Sequence, residues 1–543
     1  MNRQWSQKTR SSPCHREGAG RNQRRRSLAA IAVLLCLFLP LAAAGQKAPA
    51  TAARKPAGAP VPRLVVVMVI DQFRSDYLDR FADKFGDGGF RRLEREGASF
   101  RECYYTYATT ETGPGHATIA TGTTPDRHGI GSNEWFDRIL GKLVYSAGDD
   151  GSPVIGGAPG QRGASPRNLI GSTLSDEMRL ATGGKSRVFG VALKDRAAIL
   201  SVGHGANGAY WYDAKSGNWV TSVYYRNALP DYIVEFNHKH PVAQPLAEFP
   251  NTAASSQMTV ELAETIVEKE KLGMGGATDF LFVGFSANDY AGHRWGPYST
   301  QVEQITVETD GILAHWLQFL DARIGKGNYW LALSADHGVA PTLAQARDAN
   351  VARLEAANID RKAVKAAIEK AMAEHWGAAQ WLLPGDDIYF DPKTLNDKNV
   401  HIEDAVRVSG DAARRVPGVW GYFSRYRSPM ADTLADSYRR SDAPGRRPDL
   451  YVVPYPFGLP DATGGGTTHG TPYTYDTQVP LILVGGPFLP GEYYVRCSPT
   501  DLAVTLAAML RVHVPALANG RVLTEALRIS QPNAATGRLA APR

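Results

Sequence analysis

The sequence predicts an α/β protein with a mostly parallel central sheet, helices on both faces and inserted cap elements. Three observations lead there. Short apolar, β-branched runs recur, the clearest being Leu64-Val-Val-Val-Met-Val-Ile70. A strand buried on both faces reads as such an unbroken run, whereas a half-exposed strand alternates. Each run also ends at once in polar residues: Asp71 after the first, Lys194-Asp-Arg196 after Val188–Leu193, Ser286-Ala-Asn-Asp289 after Asp279–Phe285, and Asp336-His337 after Tyr329–Ser334. Finally, helical stretches at Ser256–Lys271 and Thr300–Ile324 separate the runs, the alternation that builds such sheets.

Residues 1–45 read as an export signal. A basic stretch ending in Arg24-Arg25-Arg26 leads into the apolar Leu28–Ala44, and the small residues Ala42-Ala43-Ala44-Gly45 suit cleavage. An uncleaved anchor is the alternative, because the apolar run approaches spanning length. Arg25-Arg26 resembles a twin-arginine signal only weakly. Residues 46–62, rich in Ala, Pro and Lys, form a flexible leader. Residues 63–340 and 451–515 form the expected core, and 341–450 an insertion with a helix at Arg361–Glu374 and a strand at Asp387–Phe390. Gly141–Pro166 is Gly-rich and loop-like. Strand–helix logic resumes at Pro480–Val484 and Pro499–Leu510, and 516–543 is a C-terminal tail.

Net charge excludes one class of partner. The formal value of +6 comes from the first 45 residues, where eight basic side chains face only Glu17, so the remainder carries about −1. Bulk charge therefore gives no case for nucleic-acid binding. Outside the signal the cysteines are Cys103 and Cys497, which read equally as a disulfide in an oxidising compartment or as two buried side chains.

The chemistry lies at the strand ends, where open α/β sheets bind ligands. Asp289 and His293 are four residues apart and share a face of a helical turn. Asp336-His337-Gly338 places two ligand types where the backbone turns, Asp71 closes the first strand, and His469 sits in Gly464-Gly-Gly-Thr-Thr-His-Gly470. Singly, each reads as a cap or a surface residue. Together, three carboxylates and three histidines supply two N/O ligand sets, a mixture that suits zinc, with other borderline metals as the alternative. Thr112 precedes a Gly-Pro-Gly turn that opens a short helix, where backbone N–H groups and the helix dipole favour phosphate.

These residues carry a resemblance to the alkaline phosphatase superfamily, and within it to the bacterial threonine-nucleophile alkaline phosphatases. The motifs are Asp71 after the first strand, Thr112-Gly-Pro-Gly-His116, Asn133, Lys194-Asp195-Arg196, Asp289…His293, Asp336-His337 and His469-Gly, over residues of about 62 to 512. The resemblance implies an alkaline-phosphatase-like fold and two zinc ions per chain. Asp71, Asp336, His337 and the Thr112 oxygen would hold one, and Asp289, His293 and His469 the other. Thr112 would be the nucleophile, passing through a phosphothreonine. Asn133, Lys194 and Arg196 would bind the phosphate oxygens, and His116 and Asp195 would play supporting parts. A cationic pair compensates the extra charge of a monoester dianion, so Lys194 and Arg196 imply a phosphomonoesterase. A phosphodiesterase or nucleotide pyrophosphatase with the same metals is the alternative. Arylsulfatases need a modifiable Cys or Ser where this chain has Thr112. The expected substrates are small-molecule phosphate esters, broadly. The expected place is outside the cytoplasm, periplasmic or secreted, with no membrane insertion once the signal is cleaved.

Overall fold

The computed structural model describes residues 61–242, 246–353, 355–430, 432–459 and 466–528. The expected export signal, the leader up to residue 60 and the end of the expected tail (529–543) lie outside the described residues.

The strands in chain order are β1 (Leu64–Ile70), β2 (Gly97–Phe100), β3 (Glu134–Asp137), β4 (Lys142–Tyr145), β5 (Val154–Ile155), β6 (Val188–Ala192), β7 (Gly208–Asp213), β8 (Asn218–Ser222), β9 (Asp279–Phe285), β10 (Tyr329–Ser334), β11 (Val419–Phe423), β12 (Tyr451–Pro454), β13 (Leu481–Val484) and β14 (Gly491–Tyr493). Ten of them form one sheet in the order β14-β2-β13-β10-β1-β9-β6-β7-β8-β5. Its centre is parallel: β1 lies between β9 and β10, and β6 between β9 and β7. The sheet is therefore the mostly parallel one expected. Its flanks depart from that pattern, because β13 runs antiparallel to both β10 and β2, and β8 antiparallel to β7 and β5.

Every residue of β1 is buried, which requires cover on both faces. Two helix groups provide it. Thr112–Thr121, Asp195–Val202 and Thr500–Leu510 pack together, as do Ala253–Lys269, Ala287–Trp295 and Thr300–Leu320. Burying a Val or Leu side chain stabilises by about 1.5–3 kcal/mol, so a charge at Val67 would cost more than one helix cap returns. The carboxyl ends of β6, β9, β1 and β10 all open on the same edge of this parallel core, which fixes where polar residues after them converge.

The inserted segment builds its own apolar cluster. Helices Arg361–Trp376 and Ile402–Ala413 bury Ile368, Met372 and Val406 against Trp381 and Tyr422, beside the two-stranded β11–β12 sheet. The strand expected at Asp387–Phe390 is absent as a ladder. Only isolated bridges form there, Leu382 with Phe390 and Ile388 with Leu450. Asp391 instead accepts from Lys393 N–H and caps the Pro392–Asp397 helix, which cuts the segment short. The stretch expected as loop, 141–166, contributes β4 and β5. Residues 516–528 lie on the core, with Leu523 and Ala526 fully buried. Cys103 and Cys497 are partners in an isolated parallel bridge, and both are buried free thiols.

Candidate active site

The expected ligand residues come together as two groups. Asp71, Asp336 and His337 form one, Asp289, His293 and His469 the other, and within each group the ligand atoms lie within 4.8 Å of one another. Asp71 follows β1, Asp336 and His337 follow β10, and the helix after β9 carries Asp289 and His293. His469 arrives from a loop and stacks on His337 with ring centroids 3.6 Å apart, bringing the two groups side by side.

All three imidazoles are oriented alike. Each Nδ1 bonds a backbone carbonyl: His293 to Thr467 (2.9 Å), His337 to Gly338 (2.9 Å) and His469 to Thr110 (2.7 Å). A carbonyl only accepts, so each Nδ1 carries a proton and each Nε2 faces the carboxylates; against burial, the Asp289 charge raises His293 above its ordinary value, while in the other two imidazoles Nε2 is a lone pair. Burial holds the His337 imidazole down to about 3 and His469 well below the ordinary histidine value, so both stay neutral. Asp71 Oδ1, Asp336 Oδ2 and His337 Nε2 are buried without a hydrogen-bond partner. Three unpartnered ligand atoms converging at one point are costly unless a cation takes them. The donor set fits a metal ion.

Thr112 opens the Thr112–Thr121 helix and is 1 % exposed. Its Oγ1 lies 3.2 Å from Arg196 Nη2 and 3.4 Å from Lys194 Nζ. The Gly-Pro-Gly turn is required sterically, since a Cβ on Gly115 would sit 2.2 Å from the Asp336 carbonyl oxygen. The Lys194 ammonium lies 2.7 Å from Asp71 Oδ2 and also bonds Asp289, so it stands between the two ligand groups. Burial disfavours that charge, but Asp289 and Asp71 outweigh it and raise the lysine above its ordinary value. Conversely, burial acts to raise Asp289, and the Lys194 and His293 charges hold it well below the usual carboxylate range.

Asn133 Oδ1 accepts from the Gly113 N–H at 2.8 Å, so this helix N–H is used inside the protein. The Asn133 NH2 makes no hydrogen bond among the described residues and is the free donor beside Thr112. His116 Nε2 lies 3.4 Å from Asp336 Oδ2, and its Nδ1 lies 3.1 Å from the Ser201 hydroxyl.

Two residues of the site carry no sequence signal as strong as those above. Glu111 accepts from the Asn133 N–H at 2.7 Å and the Ser132 hydroxyl at 3.0 Å, seating Asn133. Gln72 holds φ at 63°, donates its N–H to Asp336 Oδ1 (3.1 Å) and its Nε2 to Asp289 Oδ1 (2.9 Å), and so joins the two ligand groups. Adjacency to Asp71 and to Thr112 was the only hint of either.

A parallel α/β core with two acid–imidazole clusters flanking a helix-opening hydroxyl defines the alkaline phosphatase superfamily. Within it the chain belongs to the type I phosphodiesterase/nucleotide pyrophosphatase family, whose model matches residues 65–454. It is 31 % identical to alkaline phosphatase PafA of Elizabethkingia meningoseptica over 529 residues, covering 88 % of this chain and 96 % of that one. It is 31 % identical to alkaline phosphatase PhoV of Synechococcus elongatus, over 86 % of this chain and 93 % of the relative. The crystal structure of wild-type PafA superposes with a TM-score of 0.81 at 29 % identity, over 87 % of this chain and all of that one.

Proposed function

We propose that the chain is a phosphate monoester hydrolase of the alkaline phosphatase type with Thr112 as its nucleophile. The observation that carries this is the setting of Thr112 Oγ1, which is buried at a helix start within hydrogen-bond reach of Arg196 and Lys194. The relatives named as alkaline phosphatases support the same reaction.

Asp71, Asp336, His337 and the Thr112 oxygen would hold one zinc ion, and Asp289, His293 and His469 a second. Bound zinc would supply Lewis acidity, lowering the pKa of the Thr112 hydroxyl and neutralising charge on the leaving oxygen. Thr112 Oγ1 gives up its proton to solvent and attacks phosphorus, the P–O bond to the leaving group breaks in line, and the departing alkoxide takes a proton from water to leave as the alcohol. The resulting phosphothreonine is then hydrolysed by water. Asn133 donates its free NH2 to a non-bridging oxygen, and the Arg196 guanidinium donates to the others. The Lys194 ammonium adds positive charge at the same point and keeps Asp71 and Asp289 from repelling each other across the site. Two fixed cations favour a dianion over a monoanion, which selects monoesters.

A diesterase with the same machinery is the second reading. A cavity of about 210 Å³ beside Asn133, lined by Trp135, Phe136 and Tyr389 among others, favours it by offering room for a second substituent. Hydrolysis of p-nitrophenyl phosphate against bis-p-nitrophenyl phosphate by zinc-loaded protein at alkaline pH separates the two. A strong monoester preference supports the phosphatase; the reverse moves the chain to the diesterases and keeps Thr112.

The substrates on this reading are small phosphate esters of broad type, cleaved outside the cytoplasm after export of a precursor whose first 45 residues are removed. No helix of the described residues is long and apolar enough to cross a membrane. Residues 63–340 and 451–515 act as the catalytic core, and 341–450 as a cap.

A further inference from the structure

We propose that Tyr145 is a positioning residue that aims the Arg196 guanidinium at the phosphate, so that monoester preference depends on a hydroxyl that touches no substrate. The inference deepens the monoesterase reading and rests on it.

The geometry is a short relay. The Tyr145 hydroxyl donates to Asp195 Oδ1 at 2.5 Å and accepts from Arg196 Nη1 at 3.1 Å, while Arg196 Nη2 reaches Thr112 Oγ1 at 3.2 Å. A phenol has one proton. With that proton committed to the carboxylate, its lone pairs face the guanidinium. A guanidinium is planar and rigid, so fixing Nη1 also fixes the direction of Nη2. Asp195 Oδ1 accepts the Arg196 backbone N–H as well, at 2.7 Å, and thereby ties the relay to the start of the Asp195–Val202 helix. Burial raises the Tyr145 phenol above its ordinary value, which keeps the proton on it at alkaline pH.

The placement of Tyr145 in the chain adds a second function to the relay. Asn133 immediately precedes β3, Tyr145 ends β4, and Glu134 pairs with Tyr145 across the hairpin. One two-stranded element therefore carries both the Asn133 donor and the hydroxyl that sets Arg196. The hairpin is held from outside by the inserted segment. Arg138 pairs with Asp449 at 2.8 Å, donates to the Arg447 carbonyl at 3.1 Å and lies over the Tyr389 ring at 5.0 Å. Arg162 covers the Tyr145 ring, 4.7 Å from its centroid. Without the hydroxyl the long Arg196 side chain would regain rotamers and reach the phosphate position only part of the time.

Tyr145→Phe keeps the ring and removes the hydroxyl. We expect kcat/KM for p-nitrophenyl phosphate to fall roughly tenfold, about 1.4 kcal/mol of transition-state stabilisation. Expected alongside are a loss of less than about threefold on bis-p-nitrophenyl phosphate and an unchanged melting temperature, since the monoanion depends less on Arg196. In an Arg196→Ala background, Tyr145→Phe should cost almost nothing more, because its target is gone. Asp195→Asn, which weakens the same relay from its far end, should repeat the monoester loss. A Tyr145→Phe enzyme with full monoester activity, or losses that add in full on Arg196→Ala, would overturn the inference alone. An Arg196→Ala enzyme with the wild-type monoester rate would overturn the phosphate reading itself, and the inference with it.

Discussion

Gln72 offers the sharpest test of how the two ligand groups are held together. Its side chain donates to Asp289 and its backbone to Asp336, and the residue is 1 % exposed. Gln72→Ala removes only the side-chain bond. A hydrogen bond to a charged group contributes about 1.5–3 kcal/mol. The same range follows from the other direction, since losing a partner that orients a metal ligand costs roughly 10–100-fold in affinity, about 1.4–2.7 kcal/mol. The expected outcome is thus a drop of one to two decades in zinc affinity, read by competition with a chromogenic chelator.

A second variant separates orientation from strain. Gln72 sits at φ 63°, where a side chain costs about 1–2 kcal/mol that glycine avoids. Gln72→Gly should bind zinc as weakly as Gln72→Ala yet unfold at a higher temperature, because relief of strain exceeds the roughly 0.5–1 kcal/mol entropic penalty of glycine. Wild-type zinc affinity in Gln72→Ala would refute the bridging argument. A glycine variant less stable than the alanine variant would refute the strain argument.

Thr112→Ala should retain zinc and lose at least about a thousandfold in phosphatase activity, since the hydroxyl that attacks phosphorus is gone; near-normal turnover of p-nitrophenyl phosphate would point to a different nucleophile. Chelation should abolish activity, and zinc should restore it better than magnesium, because three imidazoles are poor magnesium ligands. Recovery with magnesium alone would contradict the assignment. Asp476, whose backbone carbonyl accepts from the Gly338 N–H, gives a pH dependence of stability. Burial pushes its carboxyl from 3.8 up to about 8, against the Thr471 hydrogen bonds, so the folded state favours the proton and stability falls as pH rises from about 4 through 8. Asp476→Asn should flatten that decline in denaturant melts taken across the range, and an equal decline in both proteins would refute it.

Much of the site was legible in the chain because a doubly covered parallel strand has an unmistakable pattern. Leu64–Ile70 must be a central strand, so Asp71 must stand at a carboxyl end, and the same logic places Asp336, Asp289 and Lys194. The i,i+4 spacing put Asp289 and His293 on one helical face before any coordinates did. Local pattern also gave the helices at Arg361–Trp376 and Thr500–Leu510 to within a turn. It misread Asp387–Phe390, because an apolar stretch becomes a strand only if a neighbour offers a ladder, and here only single bridges are offered.

What the sequence determined by itself is therefore the parallel α/β core and the place of Thr112 at a helix start, which follow from periodicity and spacing within a few residues, whereas the division of the acids and imidazoles into two sets was what the family resemblance implied. The tertiary structure alone decided the stacking of His469 on His337, the seat of Lys194 between Asp71 and Asp289, the strained bridge at Gln72 and the Tyr145–Arg196 relay. Each of these joins segments tens to hundreds of residues apart, at distances set by how helices and loops pack on the sheet. Hydrogen bonds depend on tenths of an ångström and on direction, and no local pattern along a chain encodes either.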